Sequence, residues 1–245
     1  MRVEGNLRSV IAREGAAHLT LIDPEKQNPK LAGEIATDAD AASTDGIMVG
    51  GSTRAGGEIL DKTVLAIKKS TELPVILFPA NESGISKYAD AIFFMSMLNS
   101  RDPYFITGAQ KLGAPLIKKF RLETLPMAYL LVEPGVAAGR VGKAKLIPRD
   151  QPELAADYAL TAQYMGMRFV YLEAGSGAET SVPVEILKTV RGTTETTLIV
   201  GGGIRTPEAA AELVKAGAEI IVTGTIVEKS ENRSKTIGEI VKAIK

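Results

Sequence analysis

Short apolar runs alternate with segments of helical period along nearly the whole chain of 245 residues. The runs over 18–22, 46–50, 74–78, 91–95, 127–132, 169–172, 197–200 and 220–223 read as strands. Most are almost continuously apolar, the pattern of parallel strands buried on both faces. Between them, 60–69, 152–165, 184–190, 207–216 and 235–244 read as helices. The fourth of these opens on Pro207 and is followed by Gly217, the expected punctuation at the two ends of a helix. An open doubly wound sheet produces the same alternation. Eight strands with no clear reversal point favour a single (β/α)8 barrel, the TIM barrel, over residues 1–245 as one domain.

Two intervals depart from that regularity. Between 78 and 91 there is little room, and Asn81, Ser83 and Gly84 favour a loop or a single turn over a full third helix. The interval 133–150 is long and holds Gly135, Gly139, Gly142 and Pro148, which predicts a mobile loop over the barrel mouth.

Composition removes much chemistry. Cysteine is absent, so disulfides, thiolate metal sites and cysteine nucleophiles are excluded. The single histidine, His18, cannot build a multi-histidine metal site, and at the start of the first strand it reads as structural. Lys plus Arg equals Asp plus Glu at 29 each, which gives no pull toward nucleic acid. Residues 1–15 lack the apolar core of a signal peptide and no stretch approaches a membrane span, so a cytoplasmic protein is expected.

Chemistry is concentrated where strands end. Gly201-Gly202-Gly203 follows the seventh strand and Gly224-Thr225 the eighth. Glycines let the backbone approach a phosphate and aim N–H groups at it, and adjacent loops after the last two strands are the recurrent phosphate position of this barrel. Asp23 follows the first strand, within Leu21-Ile22-Asp23-Pro24-Glu25-Lys26, and Gly50-Gly51-Ser52-Thr53 follows the second. Asp23 and Ser52 suit a hard cation whose other ligands come from a diphosphate; capping of the next helix and a turn are the plain alternatives. Glu173 ends the sixth strand within Tyr171-Leu172-Glu173-Ala174-Gly175-Ser176-Gly177, placed to accept a proton in the mouth or to form an ion pair. Asp38, Asp40 and Asp45 resemble a metal cluster, but Asp38 and Asp40 fall in or at the end of the first helix, away from the mouth, and read as a solvated helix end; Arg140, Lys143, Lys145 and Arg149 read as a solvated run, with a lid contact to a diphosphate as the alternative. Phe93, Phe94, Met95, Met97, Tyr104 and Phe105 suit an apolar groove, a core or an oligomer contact equally.

These motifs, in this order, resemble the archaeal geranylgeranylglyceryl phosphate synthase family and its bacterial heptaprenylglyceryl phosphate synthase relatives. The resemblance implies a Mg2+-dependent prenyltransferase that joins geranylgeranyl diphosphate to the C3 hydroxyl of sn-glycerol 1-phosphate, the first ether bond of archaeal lipids. It implies Mg2+ on Asp23 and Ser52, and glycerol 1-phosphate on Tyr171, Leu172, Glu173, Ala174, Gly175, Ser176, Gly177, Gly202, Gly203, Gly224 and Thr225. Glu173 and Asp23 become the catalytic pair, and a homo-oligomer, dimer or hexamer, is expected. Some relatives carry Lys where this chain has Leu21, which leaves Lys26 as a replacement phosphate contact. Two other readings compete: an isomerase, epimerase or aldolase acting on a small sugar phosphate through Lys26 or Lys118, and a noncatalytic phosphate sensor.

Overall fold

A computed structural model describes residues 2–51 and 56–245, with Lys229 described by its backbone alone. In chain order the elements are α1 (Val3–Glu14), β1 (Ala17–Ile22), α2 (Pro29–Ala41), β2 (Gly46–Val49), α3 (Gly57–Ser70), β3 (Val75–Leu77), β4 (Ala91–Ser96) and a π-turn (Tyr104–Gly108). There follow α4 (Ala109–Phe120), β5 (Glu123–Leu131), α5 (Val136–Val141), α6 (Pro152–Tyr164), β6 (Phe169–Glu173) and α7 (Val184–Thr193). Then come β7 (Thr197–Gly201), α8 (Pro207–Lys215), β8 (Ile220–Thr223), α9 (Thr225–Lys229) and α10 (Arg233–Ile244). The strands pair in sequence order, all parallel, and β8 returns to β1 to close the barrel.

Strand periodicity decides what the barrel interior receives. Leu19, Met48, Phe93, Met127, Phe169, Tyr171 and Ile199 point inward into one cluster, whereas Ile47, Val49, Ile92, Val170, Leu172 and Val200 pack outward under the helices. The same alternation carries Asp23 inward after Leu19 and Leu21, and Glu173 inward after Phe169 and Tyr171. Both carboxylates therefore stand at the carboxyl ends of their strands, on the axis side.

α1 lies outside the elements legible from the pattern. Its stripe of Val3, Leu7 and Val10 joins the interior cluster and plugs the end of the barrel opposite the mouth. Its first turn is capped from β5, where the Glu123 carboxylate accepts from Val3 N at 2.7 Å and Glu4 N at 3.1 Å. Glu123 belongs to a strand that starts four residues earlier than the sequence suggested, because polar Glu123 and Thr124 and the donorless Pro126 hide its beginning.

No helix connects β3 to β4; turns cross there, as expected. The interval 133–150 is, by contrast, not a plain loop: it carries the short helix α5, whose Ala137, Ala138 and Val141 line the cavity in the mouth. Asn99 Nδ2 donates to Leu131 O at 2.9 Å and Lys145 O at 3.0 Å, and Arg149 donates to Glu133 O at 3.2 Å and Ser181 O at 2.9 Å. These bonds join distant parts of the chain and leave no local periodicity to read.

Candidate active site

Asp23 is buried at the end of β1, with Oδ1 accepting from Glu25 N at 3.1 Å. It is not the cap of α2: Asn28 fills that position, its side chain accepting from Leu31 N. The Asp23 carboxylate thus remains available to the mouth. Gly51 packs against it so closely that a β-carbon there would sit 2.6–2.8 Å from the carboxylate atoms. Lys26 Nζ lies 3.7 Å from Asp23 Oδ2 and 3.3 Å from Glu228 Oε1. Ser52, the second expected cation ligand, lies outside the described residues.

Glu173 is 6% exposed at the end of β6. Its Oε1 accepts from Gly175 N at 2.7 Å, and the Tyr171 hydroxyl donates to the same carboxylate. Burial pushes its pKa up to about 7, against the lowering effect of those two hydrogen bonds. Among the described residues it forms no salt bridge. Beneath it, Phe78, Tyr129 and Tyr171 meet edge-on or tilted with ring centroids 5.3–5.5 Å apart, a buried aromatic floor.

The glycine loops close around this carboxylate. Gly202 and Gly203 have φ of 78° and 71°, a region that favours glycine. A β-carbon on Gly202 would overlap Glu173 Oε1, and one on Gly203 would overlap the Thr180 carbonyl. Ser176 Oγ and Thr225 Oγ1 are 3.2 Å apart, which ties the β6 loop to the β8 loop. Gly224 is the N-cap of the short helix α9. The loops after β6, β7 and β8 therefore converge in the arrangement that grips phosphate in many barrels. Within the 171–177 run, Leu172 and Ala174 point into the helical layer, so only their backbone can reach the mouth.

A cavity of about 310 Å3 extends from Asp23, Gly51, Glu173, Ser176, Gly224 and Thr225 into an apolar channel. Phe93, Phe94, Met95, Met97 and Phe105 line it. Tyr104 does not: its hydroxyl donates to Glu82, and burial followed by that carboxylate pushes its pKa up to about 12. The sequence reading missed Ile85, Ala109, Gln110, Gly113, Ile117 and Tyr129 as lining. The stripe 109–113–117, spaced at one helical turn, was the available signal. Leu21, where some relatives carry lysine, packs on Gly224, and Lys26 is the cationic side chain that lines the cavity among the described residues.

Other candidates fall where their alternatives put them. His18 is fully buried, with Nδ1 2.7 Å from Thr44 Oγ1 and Nε2 2.9 Å from Thr223 Oγ1. Asp38 faces Arg233 at 3.4 Å, Asp40 accepts from Thr71, and Asp45 pairs with Lys245 at 2.8 Å. Lys118 sits exposed in the last turn of α4, on the outer helical layer, which removes it as a Schiff-base group of the mouth.

Converging glycine loops, the buried Glu173 carboxylate and an apolar channel meet in one barrel mouth. The PcrB family model matches residues 9–244. The chain belongs to the PcrB family. It is 57% identical over 234 residues to geranylgeranylglyceryl phosphate synthase of Thermococcus kodakarensis, covering 96% of this chain and 92% of the relative. Identity to the Pyrococcus furiosus synthase is 60% over 213 residues, covering 87% and 85%. The crystal structure of (S)-3-O-geranylgeranylglyceryl phosphate synthase from Thermoplasma acidophilum in complex with sn-glycerol-1-phosphate superposes with a TM-score of 0.96, at 48% identity, over 100% of this chain and 99% of that one.

Proposed function

We propose that this chain transfers the geranylgeranyl group of geranylgeranyl diphosphate to the C3 hydroxyl of sn-glycerol 1-phosphate. The observation that carries this reading is the position of Glu173, a base buried between the glycine loops and the apolar channel within one cavity. The loops at Gly202–Gly203 and Gly224–Thr225 hold the acceptor's monophosphate through backbone N–H groups. Glu173 orients the C3 hydroxyl and takes its proton as the oxygen bonds to C1 of the prenyl chain and the C1–O bond to diphosphate breaks. A carboxyl pKa of about 7 keeps a substantial fraction ionised near neutrality while raising its basicity. The aromatic floor and the channel exclude water that would otherwise capture the allylic carbon.

Mg2+ belongs to the same reading, held by Asp23 together with Ser52. The donor set fits: Asp23 is an inward carboxylate free of capping duty, and a hard cation takes few protein oxygens when a diphosphate supplies the rest. When bound, it supplies positive charge against the leaving diphosphate. A homo-oligomer, dimer or hexamer, working in the cytoplasm completes the proposal; no helix among the described residues is long and apolar enough to cross a membrane.

The test is incubation of the purified chain with glycerol 1-phosphate and geranylgeranyl diphosphate, with Mg2+ and with EDTA. The prenyl ether of glycerol phosphate, identified by mass spectrometry with equimolar diphosphate in the Mg2+ sample, is expected. Folded protein that yields neither product overturns the reading, and turnover of a triose or pentose phosphate without prenyl donor replaces it with the sugar-phosphate alternative.

A further inference from the structure

α4 carries Lys111, Lys118 and Lys119 and no acidic residue, in a chain whose Lys plus Arg equals Asp plus Glu at 29 each. Helical geometry separates its two faces. Ala109, Gly113 and Ile117 line the apolar channel, and Leu116 and Phe120 pack against the core. The opposite face presents Lys111, Ala114, Pro115 and Lys118 to solvent, with Leu112 52% exposed at its edge. The 78–90 segment lies beside α4, since a β-carbon on Gly113 would meet Ile85 Cδ1 at 3.0 Å. It adds Lys87, whose Nζ stands 5.0 Å from the ring centroid of exposed Tyr88.

Among the described residues none of Lys87, Lys111, Lys118 and Lys119 forms an ion pair. The carboxylates of neighbouring segments are engaged elsewhere. Asp61 accepts from Ser86 at 2.6 Å, Glu82 accepts from Tyr104, Asp90 pairs with Lys68 at 2.8 Å, and Asp102 pairs with Lys143 at 2.7 Å. Lys118 and Lys119 complement the carbonyl end of their helix. Lys111, two turns earlier, and Lys87, on another segment, have no such role. Lysines left without counter-charge around exposed Leu112 and Tyr88 match a surface that meets anionic headgroups, with ammonium groups at the phosphates and apolar side chains at the acyl boundary.

We propose that the outer face of α4, together with Lys87 and Tyr88, docks the barrel on an anionic phospholipid membrane. The helix then faces lipid on one side and the apolar channel on the other, which sets the site against the phase into which long apolar chains partition. Docking stands on these surface side chains alone, so its failure leaves prenyl transfer untouched.

The experiment is co-sedimentation of the purified chain with vesicles of phosphatidylglycerol and phosphatidylcholine, and with vesicles of phosphatidylcholine alone, at low and high salt. Binding is expected on the anionic vesicles only, and its loss at about 1 M salt, where charges are screened beyond about 3 Å. Each lysine near an anionic surface is worth about fivefold in partition, so Lys111→Gln/Lys118→Gln should weaken binding about twenty-fivefold and Lys111→Glu/Lys118→Glu more. Both positions are exposed and glutamine keeps helix propensity, which guards against a failure to fold. Lys215→Glu/Lys242→Glu, the same charge change at exposed positions of α8 and α10, should leave binding within about threefold. No binding to anionic vesicles, equal binding to neutral ones, or equal losses from the α4 and control pairs would overturn the proposal. A parent chain that ignores vesicles but changes oligomeric mass on Lys111→Glu/Lys118→Glu overturns it as well, and gives this face to a second copy of the chain.

Discussion

The Glu173 carboxylate and the α-carbon of Gly202 are packed so tightly that any side chain on Gly202 would overlap Glu173 Oε1. The Glu173 carboxylate and the glycine loop after β7 are thus held in register by direct contact, with Gly175 against the same side of Gly202 and donating to that carboxylate.

Gly202→Ala is expected to damage the site twice, by strain at φ 78° and by displacing Glu173. Affinity for glycerol 1-phosphate, measured by titration calorimetry, should weaken at least about tenfold, equivalent to roughly 1.4 kcal/mol. Unchanged affinity would separate Gly202 from the phosphate grip.

Asp23→Asn preserves size and the acceptor for Glu25 N while removing the charge. If Asp23 holds the cation for the donor's diphosphate, turnover should fall by about a hundredfold or more, with glycerol 1-phosphate binding within a few-fold of the parent. Turnover that is EDTA-sensitive in the parent and unaffected by Asp23→Asn would move the cation elsewhere.

Much of this site was legible because a barrel keeps its chemistry where strands end. Asp23 and Glu173 could be placed in the mouth because they stand where apolar runs end, and the absence of a third helix followed from the short, turn-rich stretch before Ala91. What escaped depends on contacts between distant segments. α1 gains its place through Glu123, about 120 residues away, and segment 133–150 through Asn99. The channel wall at Gly113 looks like an ordinary weak helix position until Ile85 is seen opposite it.

His18 gives a stability signature independent of catalysis. Burial, with a smaller contribution from Lys245, lowers its pKa from 6.5 to about 3. Between those values the unfolded chain binds a proton that the folded chain refuses, so stability present above pH 6.5 is lost as pH falls toward 3. The loss should approach about 1.4 kcal/mol per pH unit. Denaturant unfolding of the parent and His18→Gln between pH 6.5 and 5 checks it: the parent's stability should fall more steeply, and parallel curves would remove His18 as the cause.

The most direct test of Glu173 as the base is the pH dependence of kcat/KM for prenyl transfer, in the parent and in Glu173→Gln. Burial raises the carboxyl pKa to about 7, so the protonated, inactive form dominates below that pH. The parent's rate should climb about tenfold per pH unit from pH 5 and level off above about 7, while Glu173→Gln should lose about 10²- to 10⁴-fold and show no such inflection, with glycerol 1-phosphate still bound. A Glu173→Gln variant that keeps the parent's rate, or the same inflection near pH 7, would show that another group takes the proton.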